Sequence, residues 1–182
     1  LLDWLRGPGG LPGTKEGCAE GDCGACTVVL EDGAARTPVN ACLMLLGQAA
    51  GRAIRTVEGL GADHAVPHAM AAHDGTQCGF CTPGIVMSAW AWTRAGGDPH
   101  EALAGNLCRC TGYRPILDAM GAMQDDGAAA PVAPPPPTEV ATTSQRFLLP
   151  RSIAEAVALR AAHPEAWVLA GGTDLGLRVS EH

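Results

Sequence analysis

Three cysteines fall within nine residues in Cys18-Ala19-Glu20-Gly21-Asp22-Cys23-Gly24-Ala25-Cys26, and a fourth, Cys42, stands apart. The spacing C-x4-C-x2-C followed by a distant cysteine is that of a plant-type [2Fe–2S] ligand set. Four thiolates must converge on two irons while a short loop wraps them. Such a wrap forces positive φ angles and brings backbone N–H groups to the sulfurs. Gly17, Gly21 and Gly24 are expected to permit it, having no Cβ to clash. The N–H groups then stabilise the negative cluster and help set its potential. Zinc and disulfides are the alternatives. Structural zinc usually joins one close cysteine pair to another, whereas here three cysteines crowd one loop.

Eight cysteines in 182 residues would suggest disulfides in a secreted chain. No basic-then-apolar leader precedes them, and no apolar run approaches the ~20 residues of a membrane span. The expectation is a cytoplasmic metalloprotein without a membrane segment. A net charge of −7 argues against a nucleic-acid surface, which needs clustered Lys and Arg. The chain opens in mid-pattern with Leu1-Leu2-Asp3-Trp4-Leu5-Arg6, the end of a helix stopped by Gly7-Pro8-Gly9-Gly10. It therefore reads as a fragment.

Thr27–Glu31 is β-branched and runs into Asp32-Gly33, a strand entering a turn. Asn40 is expected to cap a helix over 41–50, ended by Gly51, with Cys42 in its first turn. Ala53–Val57 reads as a second strand. Residues 1–57 thus predict a ferredoxin-like domain. From Gly59 the pattern turns helical, with segments over 64–73, 83–94, 99–104 and 115–123; Pro marks the start of three. Residues 58–126 predict a helical bundle. Residues 127–145 form a linker whose Ala/Pro run at 128–137 suits an extended chain. Beyond it, Ser152 and Glu155 form a capping box for an amphipathic helix. Val168-Leu169-Ala170 is of buried-strand type, and Gly171-Gly172-Thr173-Asp174 is a turn.

A second cysteine set, Cys78 and Cys81 with Cys108 and Cys110, reads C-x2-C then C-x-C. Each pair precedes a helix start, so a bundle can bring both to one end. C-x-C is unusual for zinc, and beside the first set a second iron–sulfur cluster is the better reading. No Ser/His/Asp set, paired-carboxylate site or phosphate loop is found, and the six histidines show no ligand pattern. Arg109, between two cysteines, reads either as an offset to cluster charge or as a solvated side chain.

Residues 14–18 and 25–28, then 77–84 (QCGFCTPG) and 105–116 (GNLCRCTGYRPI), closely resemble the iron–sulfur part of the molybdenum hydroxylases. That family includes xanthine dehydrogenase, aldehyde oxidase and carbon monoxide dehydrogenase. The resemblance covers roughly residues 1–125. It implies an α+β chain: a ferredoxin-like β-grasp [2Fe–2S] domain (1–57, its first hairpin missing), an α-helical bundle [2Fe–2S] domain (58–126), the linker (127–145), and the start of an α+β FAD-binding domain (146–182). In that last part Val168, Leu169, Ala170, Gly171, Gly172, Thr173, Asp174 and Leu175 are similar to the loop that holds the FAD pyrophosphate. Gln77 matches a glutamine that contacts the molybdopterin.

Iron–sulfur and flavin parts on one chain resemble the small subunit of two-chain xanthine dehydrogenases. The resemblance then implies a large partner subunit carrying the molybdenum cofactor, a higher heteromer, and no substrate chemistry on this chain. Electrons from xanthine or hypoxanthine would pass to the cluster of Cys78, Cys81, Cys108 and Cys110, then to that of Cys18, Cys23, Cys26 and Cys42, then to FAD and NAD. An aldehyde or N-heterocycle hydroxylase would use the same wire. A free electron carrier and a structural zinc protein are the readings of other classes; colour separates the last, because zinc proteins are colourless. Since the 128–137 run cannot build a core, its deletion is expected to leave both clusters intact, checked by the EPR signal of each.

Overall fold

One strand divides the molecule. The computed structural model describes residues 1–61, 63–129 and 133–180; residues 62, 130–132 of the expected linker and 181–182 lie outside the described residues. β1 (Thr27–Asp32) pairs antiparallel with β2 (Ala35–Asn40) on one side and β3 (Ala53–Arg55) on the other. Alternation along β1 sends neighbouring side chains to opposite faces. Val28 enters a small core with Leu2, Leu5, Cys26 and Ala41. Val29 enters a larger core made by the helices. Pro38 is tolerated because β2 is an edge strand, where a missing N–H costs no ladder bond. The short helix α1 (Leu2–Arg6) stops at Gly7 as its sequence predicts.

The helix expected over 41–50 is reduced to α2 (Leu46–Ala49), and Cys42 lies in a turn before it. Competing hydrogen bonds account for the difference. Asn40 ends β2 instead of capping a helix, and its side-chain amide donates to the Gly21 carbonyl at 2.9 Å. Ala41 N–H donates to Cys26, and the Ala41 carbonyl accepts from Leu2. The backbone is thus committed to the cysteine loop and to α1 before a helix can start.

The helical half follows its sequence closely. α3 (Ala65–Ala72), α4 (Thr82–Ala95), α5 (Pro99–Ala102) and α6 (Arg114–Gly121) form after a 3-10 turn at Val57–Leu60. Proline occupies the first turn of α4, α5 and α6. α4 is buried from Gly84 to Ala91, the mark of a helix covered on all sides. It packs against the sheet, so the two cores meet at β1.

The sequence gives no warning of the latch that fastens them. Arg36 of β2 is buried, and its guanidinium lies 3.7 Å from the centroid of the Trp90 ring of α4. It also donates to the Trp90 carbonyl, to Asp125 Oδ1 at 3.0 Å, and to Asp126. Trp90 Nε1–H and His64 Nε2 both reach Asp126 Oδ2, at 2.8 and 3.0 Å. His64 Nδ1 accepts from Val66 N–H as the N-cap of α3, which leaves the Nε2–H to donate. Arg94 clamps Asp125 from the other side.

After the linker, β4 (Glu139–Ala141) and β5 (Arg146–Leu148) form a hairpin, so regular structure returns inside the stretch read as linker. α7 (Ile153–Ala162) is capped by Ser152, which accepts from Glu155 N–H; the Glu155 carboxylate turns back to Arg151 N–H. Residues 168–170 do not form the expected strand, and Val168 is exposed. A strand needs a partner, and β4 and β5 pair only with each other. The turn at 171–174 is present, with positive φ at Gly171 and Gly172, and α8 (Leu175–Ser180) follows. This segment rests on the 43–51 stretch: a Cβ added at Gly47 would meet the Phe147 ring, and one at Gly176 the Leu43 carbonyl.

Burial alone would raise Asp126, but His64, Trp90 and Arg36 overrule it and hold its carboxyl far below the ordinary 3.8. The Arg94 hydrogen bonds lower Asp125 in the same sense. The folded protein therefore binds fewer protons here than the unfolded chain. The stabilisation is complete above the ordinary carboxylate range and is lost as pH falls through and below it. Arg36→Ala is expected to cost about 3 kcal/mol at neutral pH, by leaving Asp126 without its buried partner. Urea unfolding followed by tryptophan fluorescence checks this, and the gap from the unsubstituted protein should narrow below pH 4.

Candidate metal centres

The first cysteine loop is built from backbone. Cys18 Sγ accepts from the N–H groups of Glu20, Asp22 and Cys23 at 3.3–3.5 Å, and Cys18 N–H donates to Cys23 Sγ at 3.3 Å. Burial works against ionising Cys18, but these donors win and lower its pKa. Gly21 and Gly24 take the positive φ that the wrap demands. Gly17 does not, and its role differs: an added Cβ would sit 2.7 Å from Cys23 Sγ. Cys26 and Cys42 are hydrogen-bonded to each other, which pulls Cys26 down to about 6 and pushes Cys42 up. The four thiols thus fall into two couples, Cys18 with Cys23 and Cys26 with Cys42.

The second set forms the same pattern at the starts of α4 and α6. Cys78 pairs with Cys110, and Cys81 with Cys108. Burial, then the contact with Cys108, raises Cys81 to about 12. For Cys108, the Thr111 hydroxyl at 3.1 Å and backbone donors outweigh burial and lower it. Cys78 is lowered chiefly by the Phe80 N–H, and Cys110 is raised by Cys78. Tyr113, at φ +68°, folds its hydroxyl back to accept from Cys108 N–H at 2.8 Å and to donate to the Asn106 carbonyl at 3.0 Å. Cys78 and Cys110 are exposed, whereas Cys26 is buried.

Two thiolates per iron is what a four-cysteine [2Fe–2S] cluster asks for, and each set supplies it as two couples. Among the described residues no three His, Cys, Asp or Glu side chains are placed to hold a single ion. By donor chemistry, four thiols in two couples, each set fits a dinuclear cluster.

The two loops touch. Leu107 N–H donates to the Cys23 carbonyl at 2.9 Å. Asn106, 4% exposed, donates its amide to the Gly24 carbonyl at 3.0 Å and to Thr27 Oγ1 at 3.2 Å, and accepts from Ser88 Oγ at 2.7 Å. Sequence reasoning gave Asn106, Ser88 and Tyr113 no role. The available signal was position: Asn106 lies two residues before Cys108, in a segment that is polar but has to be buried.

Gln77 is exposed beside Cys78, and Arg109 is exposed with no ion pair among the described residues. The 168–175 segment lies across from α2, where Gln48 Nε2 reaches the Gly171 carbonyl at 3.5 Å. A Cβ at Gly84 would lie against the Gly24 carbonyl oxygen. Because that neighbour is backbone, it cannot swing away. Gly84→Ala is expected to cost roughly 1–3 kcal/mol, as overpacking does, and to loosen both loops. Urea unfolding and the iron content of the purified variant measure the two effects.

Comparison with known proteins agrees with this geometry. A family model described as a [2Fe-2S] binding domain matches residues 56–121. A xanthine dehydrogenase from Emericella nidulans is 52% identical over 133 residues, and an aldehyde oxidase 2 from Cavia porcellus 52% over 134. Each match covers 65% of this chain but 10% of the relative, so the chain spans about a tenth of the length of these proteins. The structure of quinoline 2-oxidoreductase from Pseudomonas putida is similar at a TM-score of 0.61 and 41% identity, covering 66% of this chain and 76% of that one. The chain belongs to the molybdenum hydroxylase family, of which it carries the [2Fe–2S] electron-transfer region.

Proposed function

We propose that this chain is the electron-transfer part of a xanthine dehydrogenase-type oxidoreductase, with one [2Fe–2S] cluster at each cysteine set. The observation that carries the reading is the pair of four-thiol sites, each split into two couples, in loops that touch through backbone. Bound there, each cluster takes up and gives back single electrons, which divides a two-electron oxidation into two steps. The chain's own residues hold the thiolates, supply N–H donors to their charge, and keep Cys26 away from water. Electrons enter on the exposed side, at Cys78 and Cys110, where a large partner subunit with its molybdopterin docks beside Gln77. They leave past Cys42 towards the 168–175 loop, which takes part in holding FAD, and NAD is the final acceptor. The contact of Gly176 with Leu43, next to Cys42, supports that direction.

The substrate of the complete enzyme is a purine such as xanthine on this reading. A second reading, an aldehyde or N-heterocycle hydroxylase, is favoured by the equal identity to an aldehyde oxidase and by the likeness to quinoline 2-oxidoreductase. Turnover of the complete enzyme with xanthine, an aldehyde and quinoline decides between them. No helix among the described residues is long and apolar enough to cross a membrane.

Metal analysis is expected to give about four irons per chain; two zincs and no iron would sink the reading. Cys110→Ser should stop electrons leaving the molybdenum centre. Cys26→Ser should let substrate reduce the helical-domain cluster while slowing the flavin. Rapid-freeze EPR of both variants in the complete enzyme measures this, and a block at the helical-domain cluster in Cys26→Ser would reverse the order.

A further inference from the structure

One hydroxyl stands apart from the backbone donors that serve the thiols. Among the described residues, Thr111 is the one whose side-chain hydroxyl is hydrogen-bonded to a cysteine sulfur, with Oγ1 3.1 Å from Cys108 Sγ. The nearby Tyr113 hydroxyl is committed elsewhere. It gives its proton to the Asn106 carbonyl and accepts from Cys108 N–H, so neither of those protons serves a sulfur.

The direction of the Thr111 bond follows from the proton count. A hydroxyl has one proton and two lone pairs. Tyr113 N–H donates to Thr111 Oγ1 at 3.1 Å and takes up a lone pair. A thiolate that holds iron carries no proton, so the proton between the two side chains belongs to Thr111. The bond accepted from Tyr113 polarises the hydroxyl and strengthens what it donates. Tyr113 sends its N–H there from a left-handed backbone, at φ +68°, which costs a non-glycine residue energy. Place within the site adds to the effect. Cys108 is coupled with Cys81, and both are half-buried, whereas Cys78 and Cys110 are exposed and take donors from water.

We infer that the Thr111 hydroxyl raises the reduction potential of the site formed by Cys78, Cys81, Cys108 and Cys110, acting through Cys108 Sγ. This rests on the reading that the set holds a [2Fe–2S] cluster. Such a site gains a unit of negative charge with each electron, so a donor on one of its sulfurs favours the reduced form. The electron enters from a reduced mediator dye, which is oxidised by one electron. The hydroxyl proton stays on Oγ1, and no bond is made or broken. Because the first set has no such hydroxyl among the described residues, Thr111 tunes one site against the other. It thereby sets the share of a single electron that each site holds.

The test uses the full chain with both clusters loaded, titrated with dithionite and mediator dyes while EPR follows each site. Thr111→Val keeps the shape and removes the proton. It is expected to shift the one-electron equilibrium of the helical-domain site about tenfold towards the oxidised form, a fall of ~59 mV. The other site is expected to keep its potential. Thr111→Ser keeps a hydroxyl and is expected to return the potential to that of the unsubstituted chain. An unchanged potential in Thr111→Val with iron complete would overturn the proposal, and so would a fall that Thr111→Ser shares.

Thr111→Ala covers the case in which valine does not fit. A loaded Thr111→Ala with a lowered potential supports the proposal. If this variant and Thr111→Val both lose iron from the helical-domain site, the hydroxyl is a structural bond of the turn and the proposal falls. Iron analysis of the unsubstituted chain separates the two layers. Absent iron there defeats the cluster reading itself, whereas full iron with unchanged potentials in the variants defeats the role of Thr111 alone.

Discussion

Backbone-to-backbone contact between the two cysteine loops governs the rest of the structure. Gly24 carries its carbonyl to the start of α4, where only a residue without a Cβ fits, and Gly84 is that residue. On the other side of Gly24, an added Cβ would meet the Gly105 carbonyl. Two loops and a helix start therefore meet at Gly24, with the Asn106 amide between them. Glycine costs conformational entropy on folding, and here the buried amide of Asn106 offsets it by satisfying the carbonyl that the approach would otherwise strand. Once α4 is seated there, its buried stretch must lie against β1, and the helical core must share the sheet.

That shared sheet explains why an arginine sits in a buried place. Desolvating a guanidinium is expensive, and one carboxylate seldom repays it. Arg36 meets two carboxylates, a carbonyl and the face of an indole. A lysine would offer a single point charge where a planar fork fits both acids and the ring. The latch closes from β2 to the residues just after α6. It also marks where the packed part ends, because Asp126 caps the backbone of Ala128 as the proline-rich stretch begins.

The fold was legible where chemistry is local. The prolines at three helix starts, the β-branched run of β1 and the Ser152 cap each act within a few residues, and each predicts what forms. The failures come from long-range partners. The helix expected after Asn40 loses to bonds with Gly21, Cys26 and Leu2. Residues 168–170 have the composition of a buried strand but no neighbouring strand. Arg36 and Trp90 are 54 residues apart, so no pattern in the sequence joins them. At the site, the cysteines were readable because eight thiols in two sets have few other uses. Asn106 was not, because a buried amide declares itself only through the loops it connects.

The two thiol sets face the same problem with different means. A group of four thiolates concentrates negative charge, and the chain as a whole is acidic, so each site needs local relief. The first set takes it from backbone, with three N–H groups on Cys18 and one on Cys23, and it can afford to bury Cys26. The second set has the Thr111 hydroxyl beside backbone donors from Phe80, Cys110 and Thr111, and it leaves Cys78 and Cys110 in water. Solvent there adds to what the peptide does. A surface that covers Cys78 and Cys110 removes that water, so it has to bring donors or positive charge of its own. The exposed amide of Gln77 and the exposed guanidinium of Arg109 adjoin these two thiols in the sequence.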